Sequence, residues 1–203
     1  MKLSLDIGYT ALILSKCRKY NLLRNQAAYV MATAYWETNR TVKPVVEAYW
    51  LSEQWRRENL RYYPWHGRGF VQLTWRDNYV RAGKALKVDL TTDPSKALDP
   101  EISASVLVLG MLDGWFTGKK LGDYVTLARS NYTSARRIVN GTDKAKEIAA
   151  LAVEYEALLL ADGYGIEAPP ADYVPEVLEP KRPSSFWADL FAAIAAIFTG
   201  AKK

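Results

Sequence analysis

Two glutamates, Glu37 and Glu47, stand upstream of the segment Gly67-Arg68-Gly69-Phe70-Val71-Gln72-Leu73-Thr74-Trp75, which is followed by Asn78-Tyr79. Paired carboxyls can move protons at a glycosidic bond, and a row of amides and hydroxyls beside them suits a ligand rich in hydroxyl groups. The glycines on either side of Arg68 let the backbone run close to another surface. After them Phe70, Gln72 and Thr74 alternate with Val71, Leu73 and Trp75, the period of a short strand. One face would then present Gln72, Thr74 and, just beyond, Asn78. Arg68 suits either a structural salt bridge or a substrate contact, and Tyr79 is a further candidate contact.

Glu37 closes the segment Asn25 to Thr38, in which Ala27, Val30, Met31, Ala34 and Thr38 fall on one helical face with Glu37 at its edge. A carboxyl there is half buried and lies in the last helical turn. Burial and the negative end of the helix dipole both favour the neutral acid, the form a proton donor needs. Glu47 follows Pro44 in a loop or a new element, where water solvates it. Two carboxyls in unlike surroundings, roughly 6.5 to 9.5 Å apart, are what an inverting glycosidase requires.

The run Gly67 to Tyr79 resembles the signature segment of glycoside hydrolase family 19, the family of plant-type chitinases and of phage endolysins. The likeness spans roughly Leu22 to Leu160. Ala34-Tyr35-Trp36-Glu37-Thr38 is similar to the family's segment around its catalytic acid, with Trp36 in place of a histidine and Asn39-Arg40 in place of glycines. Pro44-Val45-Val46-Glu47 is similar to the segment around the second acidic residue of bacterial and phage members. The resemblance implies that Glu37 is the general acid and Glu47 the general base, with Glu58 as a rival base because plant members space the pair more widely. It implies that Thr74 helps hold the attacking water, and that Gln72, Asn78 and Asn140 bind sugar; Asn140, before Gly141, is equally a helix C-cap. Gly114-Trp115-Phe116-Thr117-Gly118-Lys119-Lys120-Leu121 and Ala135-Arg136-Arg137-Ile138-Val139-Asn140-Gly141 resemble the phage branch. The implied fold is mainly α, a lysozyme/chitinase-like helical domain with a small β element. The implied substrate is the β-1,4 glycan of peptidoglycan, with chitin as the alternative, and neither cofactor nor metal is required.

Apolar spacing and breakers place helices at about Leu5 to Tyr20, Asn25 to Thr38, Asp77 to Leu86, Pro100 to Leu112, Thr133 to Val139 and Asp143 to Leu160, with strand only at Phe70 to Trp75. Asp99 before Pro100 is a strong helix start. The aromatics Trp36, Trp50, Trp55, Trp65, Trp75, Tyr35, Tyr49, Tyr62, Tyr63 and Tyr79 gather around the candidate site, where sugar rings stack on such faces. Trp55 and Trp75 read rather as core, Glu53 and Glu58 as surface charges, and His66 as a loop residue.

A chain of 203 residues, 49% hydrophobic, buries one substantial core, and its net charge of +5 favours anionic partners. A lone Cys17 excludes an internal disulfide, and with a lone His66 a structural zinc site is not expected. No signal peptide is read at the N-terminus. The expected setting is therefore the host cytoplasm until lysis and then the periplasm, with a holin giving access to the wall, as in the phage family. Five of the nine prolines fall between Pro169 and Pro183. The organisation is read as a catalytic domain at 1–163, a proline-rich linker at 164–184 and an amphipathic helix at 185–203. That helix presents Phe186, Trp187, Leu190, Phe191, Ile194, Ile197 and Phe198 on one arc, suited to an anionic membrane surface or to docking on protein. Dispersed Lys and Arg with no recognised reading motif argue against nucleic acid, and a wall-binding module without catalysis remains the non-enzymatic alternative.

Overall fold

The structure, a computed structural model, describes residues 3–165. The proposed linker and C-terminal helix, with every residue of its apolar arc, lie outside the described residues apart from the first two linker positions.

The described part is mainly helical, with α1 (Thr10–Lys19), α2 (Arg24–Glu37), α3 (Glu53–Asn59), α4 (Arg76–Leu86), α5 (Pro100–Asp113), α6 (Leu121–Tyr124), α7 (Tyr132–Ala135) and α8 (Ala145–Ala161). Two antiparallel two-stranded sheets complete it: β1 (Val45–Val46) with β2 (Arg68–Gly69), and β3 (Val125–Thr126) with β4 (Arg129–Ser130).

Helix α2 is the axis of the core and lies along α8, while α1 packs on α5. Every residue from Ala27 to Tyr35 is buried, so α2 is covered on all sides and not on one face as its spacing suggested. Alanines 27, 28, 32 and 34 allow neighbours to approach closely, and two tyrosines are met by rings from other helices. Tyr29 stacks on Tyr132 at 5.9 Å, and Tyr35 meets Tyr155 edge-on at 6.1 Å. An all-round apolar helix belongs inside a domain.

Helix α1 begins at Thr10, later than expected, because Gly8 has φ +52 and lies against the backbone of Thr41 and Val42. The Tyr9 amide then donates to the Val42 carbonyl at 2.9 Å. Helix α5 starts where the sequence placed it: Asp99 accepts from the Glu101 and Ile102 amides, and Pro100 opens the first turn. Helix α3 was not anticipated, although its Ser52 caps the Trp55 amide at 3.1 Å and Glu53 complements the dipole.

The expected strand at Phe70 to Trp75 is absent. The strand pairing is carried by Arg68–Gly69, and the chain then folds back so that Arg68 and Leu73 exchange backbone hydrogen bonds at 3.2 and 2.9 Å. Positive φ at Gly69 (+86), Gln72 (+54) and Trp75 (+73) breaks the extended run. Phe70, Val71 and Leu73 go to the core together, so the two-residue alternation seen in the sequence has no structural counterpart.

A Cβ on Gly69 would clash with Ser103 Oγ and come within 2.9 Å of the Ala97 carbonyl, in a backbone conformation that disfavours side chains. Gly69→Ala is therefore expected to lower stability by about 1–3 kcal/mol in urea titration, more than an exposed loop substitution costs. A neutral result would contradict this account of the turn.

Candidate active site

A cleft of about 330 Å³ is lined by Glu37, Tyr62, Val71, Gln72, Thr74, Trp75, Asn78, Phe116, Val139 and Asn140. Five segments supply it: the end of α2, the stretch between α3 and β2, the turn leading into α4, the loop after α5 and the loop after α7.

Glu37 is the last residue of α2. Thr38 holds the turn that follows, its hydroxyl donating to the Ala34 carbonyl at 2.7 Å and accepting from the Val42 amide at 2.9 Å. The sequence reading gave the Glu37 carboxyl no cationic partner. In the structure Arg136 Nη1 donates to Glu37 Oε1 at 2.6 Å, with the arginine side chain 5% and the glutamate side chain 17% exposed. A guanidinium so close stabilises negative charge on this largely buried carboxyl, and so acts against the burial and helix dipole that were expected to keep it neutral. Arg136 is fixed in turn by its Nε, which donates to the Asp143 carbonyl at 3.0 Å. Among the described residues Glu37 Oε2 has no hydrogen-bond donor.

Glu47 directly follows β1, is half-buried and, unlike Glu37, is not among the residues lining this cleft. Its Oε1 accepts from the Tyr62 hydroxyl at 2.6 Å and its Oε2 from the Gly67 amide at 2.8 Å. The Glu47 amide donates to the Gly67 carbonyl at 2.8 Å, closing the same ring from the other side. Tyr62, a cleft residue, is thus Glu47's direct link to the cavity. Burial, with the hydrogen bond and charge of Glu47 adding to it, pushes the Tyr62 hydroxyl up to about 12, so it stays a donor. Glu58, the rival base, is exposed on α3 and accepts from Gln54 at 2.9 Å, while Glu53 pairs with Arg56 at 2.8 Å.

The remaining sequence candidates divide. Gln72, Thr74, Asn78 and Asn140 share the cleft with Glu37. The Gln72 amide nitrogen bridges the Val45 and Gly69 carbonyls at 3.0 and 3.1 Å, the Thr74 hydroxyl donates to the Gln72 carbonyl at 2.7 Å, and the Asn78 amide donates to the Thr74 carbonyl at 2.9 Å. Asn140 keeps its side-chain oxygen on the Gly141 amide at 2.8 Å.

Arg68 and Tyr79, expected to touch substrate, line no part of this cleft. Both are buried and satisfied internally: Arg68 Nη1 donates to the Pro64 and His66 carbonyls and to the Tyr79 hydroxyl at 3.0 Å, and that hydroxyl donates to the His66 carbonyl at 2.8 Å. They brace the loop that carries Gly67.

Trp75 departs from its expected place in the core. Its positive φ sets it outside the register of α4, and the ring is 46% exposed on the cleft rim, 4.9 Å from Tyr62. Trp55, at 37%, is also at the surface. Trp36 does not enter the cleft and lines a separate cavity with Arg40, Glu147 and Glu154. Residues 39 and 40, where the resembled family has glycines, do adopt positive φ, +50 and +67. Arg136 and Phe116 were missed as site residues, while Tyr62, expected among the aromatics around the site, does line the cleft. Arg136 stands beside a second arginine in a largely polar stretch, so its local sequence gave no signal.

No family model and no curated protein matches the chain. Two solved structures are similar in fold. One is a variant of chitinase C, 18% identical, covering 67% of this chain and 72% of that chain with a TM-score of 0.48. The other is a bacterial family 19 chitinase, 21% identical, covering 75% of this chain and 86% of that chain with a TM-score of 0.49.

Two expectations follow from the electrostatics. Arg136→Met leaves Glu37 without its partner and should cost roughly 2–4 kcal/mol, and adding Glu37→Gln should recover part of that loss. Additive losses in urea titration would contradict a coupled pair. His66 has no exposed surface, stacks on Tyr63 at 5.6 Å and has no partner on either ring nitrogen among the described residues. Burial, with Arg68 adding to it, lowers its titration from 6.5 to about 4. The unfolded chain therefore binds this proton more readily. Stability should fall as pH drops from about 6.5 to about 4, by on the order of 2–3 kcal/mol, and level off below. His66→Gln should flatten that slope, and an unchanged slope in the variant would contradict the assignment.

Proposed function

We propose that this chain is a glycoside hydrolase that cuts the β-1,4 linkages of peptidoglycan glycan strands, in the manner of a phage-type endolysin. The observation that carries the reading is the convergence of Glu37 with Gln72, Thr74, Asn78 and Asn140 on one cleft, whose Tyr62 wall is hydrogen-bonded to Glu47. Here Glu37 protonates the leaving oxygen through Oε2, since Oε1 is held by Arg136. Glu47 takes the proton from the attacking water, and each of its oxygens, accepting one hydrogen bond, keeps lone-pair capacity for that water. Thr74 positions the water and the amides hold sugar hydroxyls and acetamido groups. Trp75 and Phe116 supply apolar faces for the rings.

Chitin shares N-acetylglucosamine with this substrate and is the second reading, since nothing in the amides and aromatic faces distinguishes the two polymers. In the endolysin setting a holin admits the enzyme to the wall. Activity is tested with Glu37→Gln: turnover of purified peptidoglycan should fall by about 10²–10⁴ while sedimentation with the wall is retained. Unchanged turnover would remove Glu37 from the mechanism, and an absence of turnover in the parent protein would favour a wall-binding module. Mass spectrometry of the released fragments separates the polymers, reducing-end N-acetylmuramic acid marking a muramidase.

A further inference from the structure

The five arginines from Arg56 to Arg76 are of two kinds. Arg56 and Arg68 are buried and hydrogen-bonded within the fold, Arg56 to Glu53 and the Ala48 and Leu51 carbonyls, Arg68 to the Pro64 and His66 carbonyls and the Tyr79 hydroxyl. Arg57, Arg61 and Arg76 are exposed and make no hydrogen bond or ion pair among the described residues. Each lies over an aromatic ring instead: Arg57 over Tyr63 at 5.6 Å, Arg61 over Trp75 at 5.0 Å and Arg76 over Trp65 at 5.6 Å.

The backbone gathers these three stacks, because the Trp75 amide donates to the Trp65 carbonyl at 2.9 Å and the Trp65 amide to the Tyr62 carbonyl at 2.8 Å. Trp75 and Tyr62 are themselves cleft walls, so Arg61 borders the cleft directly; Arg57 and Arg76 stand beside it, over Tyr63, the neighbour of Tyr62, and over Trp65, bonded to Trp75, with Arg76 also lining a separate cavity with Lys84 and Lys87. Neighbouring carboxylates offset this charge only in part: Glu53 is paired with Arg56, Glu58 accepts from Gln54, and Asp77 follows Arg76 on α4. Stacking restricts a guanidinium while leaving its N–H fork free, and that fork fits a carboxylate bidentately.

We propose that Arg57, Arg61 and Arg76 form an anion-binding rim that grips the stem-peptide carboxylates of peptidoglycan and so selects an acidic over a neutral amino-sugar polymer. The inference rests on reading the adjoining cleft as a glycan site, because continuity with that cleft is what assigns the rim to the polymer lying in it.

The test is sedimentation of the full chain with purified sacculi and with chitin, in a Glu37→Gln background so that nothing is cut. The triple variant Arg57→Gln/Arg61→Gln/Arg76→Gln should lose about tenfold in affinity for sacculi, with a weaker salt dependence, and about twofold or less for chitin. Sacculi whose carboxyls have been converted to neutral amides should bind the parent protein as weakly as untreated sacculi bind the triple variant. Equal losses on sacculi and chitin, no loss on either, or full binding to the amidated sacculi would each overturn the proposal. So would salt-sensitive binding to duplex DNA or to anionic lipid vesicles tighter than binding to sacculi. A circular-dichroism melt of the triple variant within a few degrees of the parent excludes unfolding as the cause. Parent protein that binds sacculi through the rim yet releases no fragments sinks the hydrolase reading alone, and turnover without rim-dependent binding sinks the rim alone.

Discussion

The contact on which the site depends most is the ion pair between Glu37 and Arg136, two residues 99 positions apart. Glu37 is the end of the buried axis helix, and Arg136 belongs to the turn after α7 that leads directly into Val139 and Asn140. A single 2.6 Å contact therefore fixes the candidate acid and the far wall of the cleft in one frame. The near wall has its own tether, since Glu47 holds Tyr62 and Gly67 through its two oxygens. Each carboxyl is thus fastened to a different wall, and the cleft lies along surfaces that both depend on them.

The core exists to hold that geometry. Helix α2 is surrounded by α1, α5 and α8, and its buried run ends at Tyr35, two residues before Glu37. Below the cleft, Arg68, Tyr79 and the His66 carbonyl make a buried hydrogen-bonded cluster that sets the loop from Pro64 to Gly69. Buried polar groups with satisfied bonds specify one arrangement more sharply than apolar packing does. The signature-like run is therefore divided in labour: Gly67, Arg68, Gly69 and Tyr79 shape the loop, while Gln72, Thr74, Trp75 and Asn78 face the cleft.

How much of this was legible in the sequence depends on how local the cause is. The Asp99-Pro100 start of α5 and the lengths of α2, α4 and α8 are written in caps and apolar spacing, and they were readable within a few residues. The all-round burial of α2 was not, because alanines look neutral until neighbours press on them. The Phe70 to Trp75 run looked like a strand because alternation carries no record of backbone sign. Positive φ at Gln72, which is not a glycine, falls in the turn that pairs Arg68 with Leu73, and Trp75 takes it again just beyond. The same reversal moved Trp75 out of the expected core and onto the rim. Gln72, Thr74 and Asn78 were readable as one polar face as well as from resemblance, Asn140 from resemblance alone, and the four line one cleft. Arg136 could not be foreseen, since its partner lies on another helix and local sequence does not encode long-range pairing.

Proton NMR of the first products released from a β-1,4-linked amino-sugar oligomer tests the central claim most directly. If Glu37 acts as acid while Glu47 activates water on the opposite face, the newly formed reducing ends appear first as the α anomer and only later mutarotate. Reducing ends that appear first as the β anomer would mean a retained configuration and a double displacement, and would contradict the assignment of Glu47 as a base acting on water.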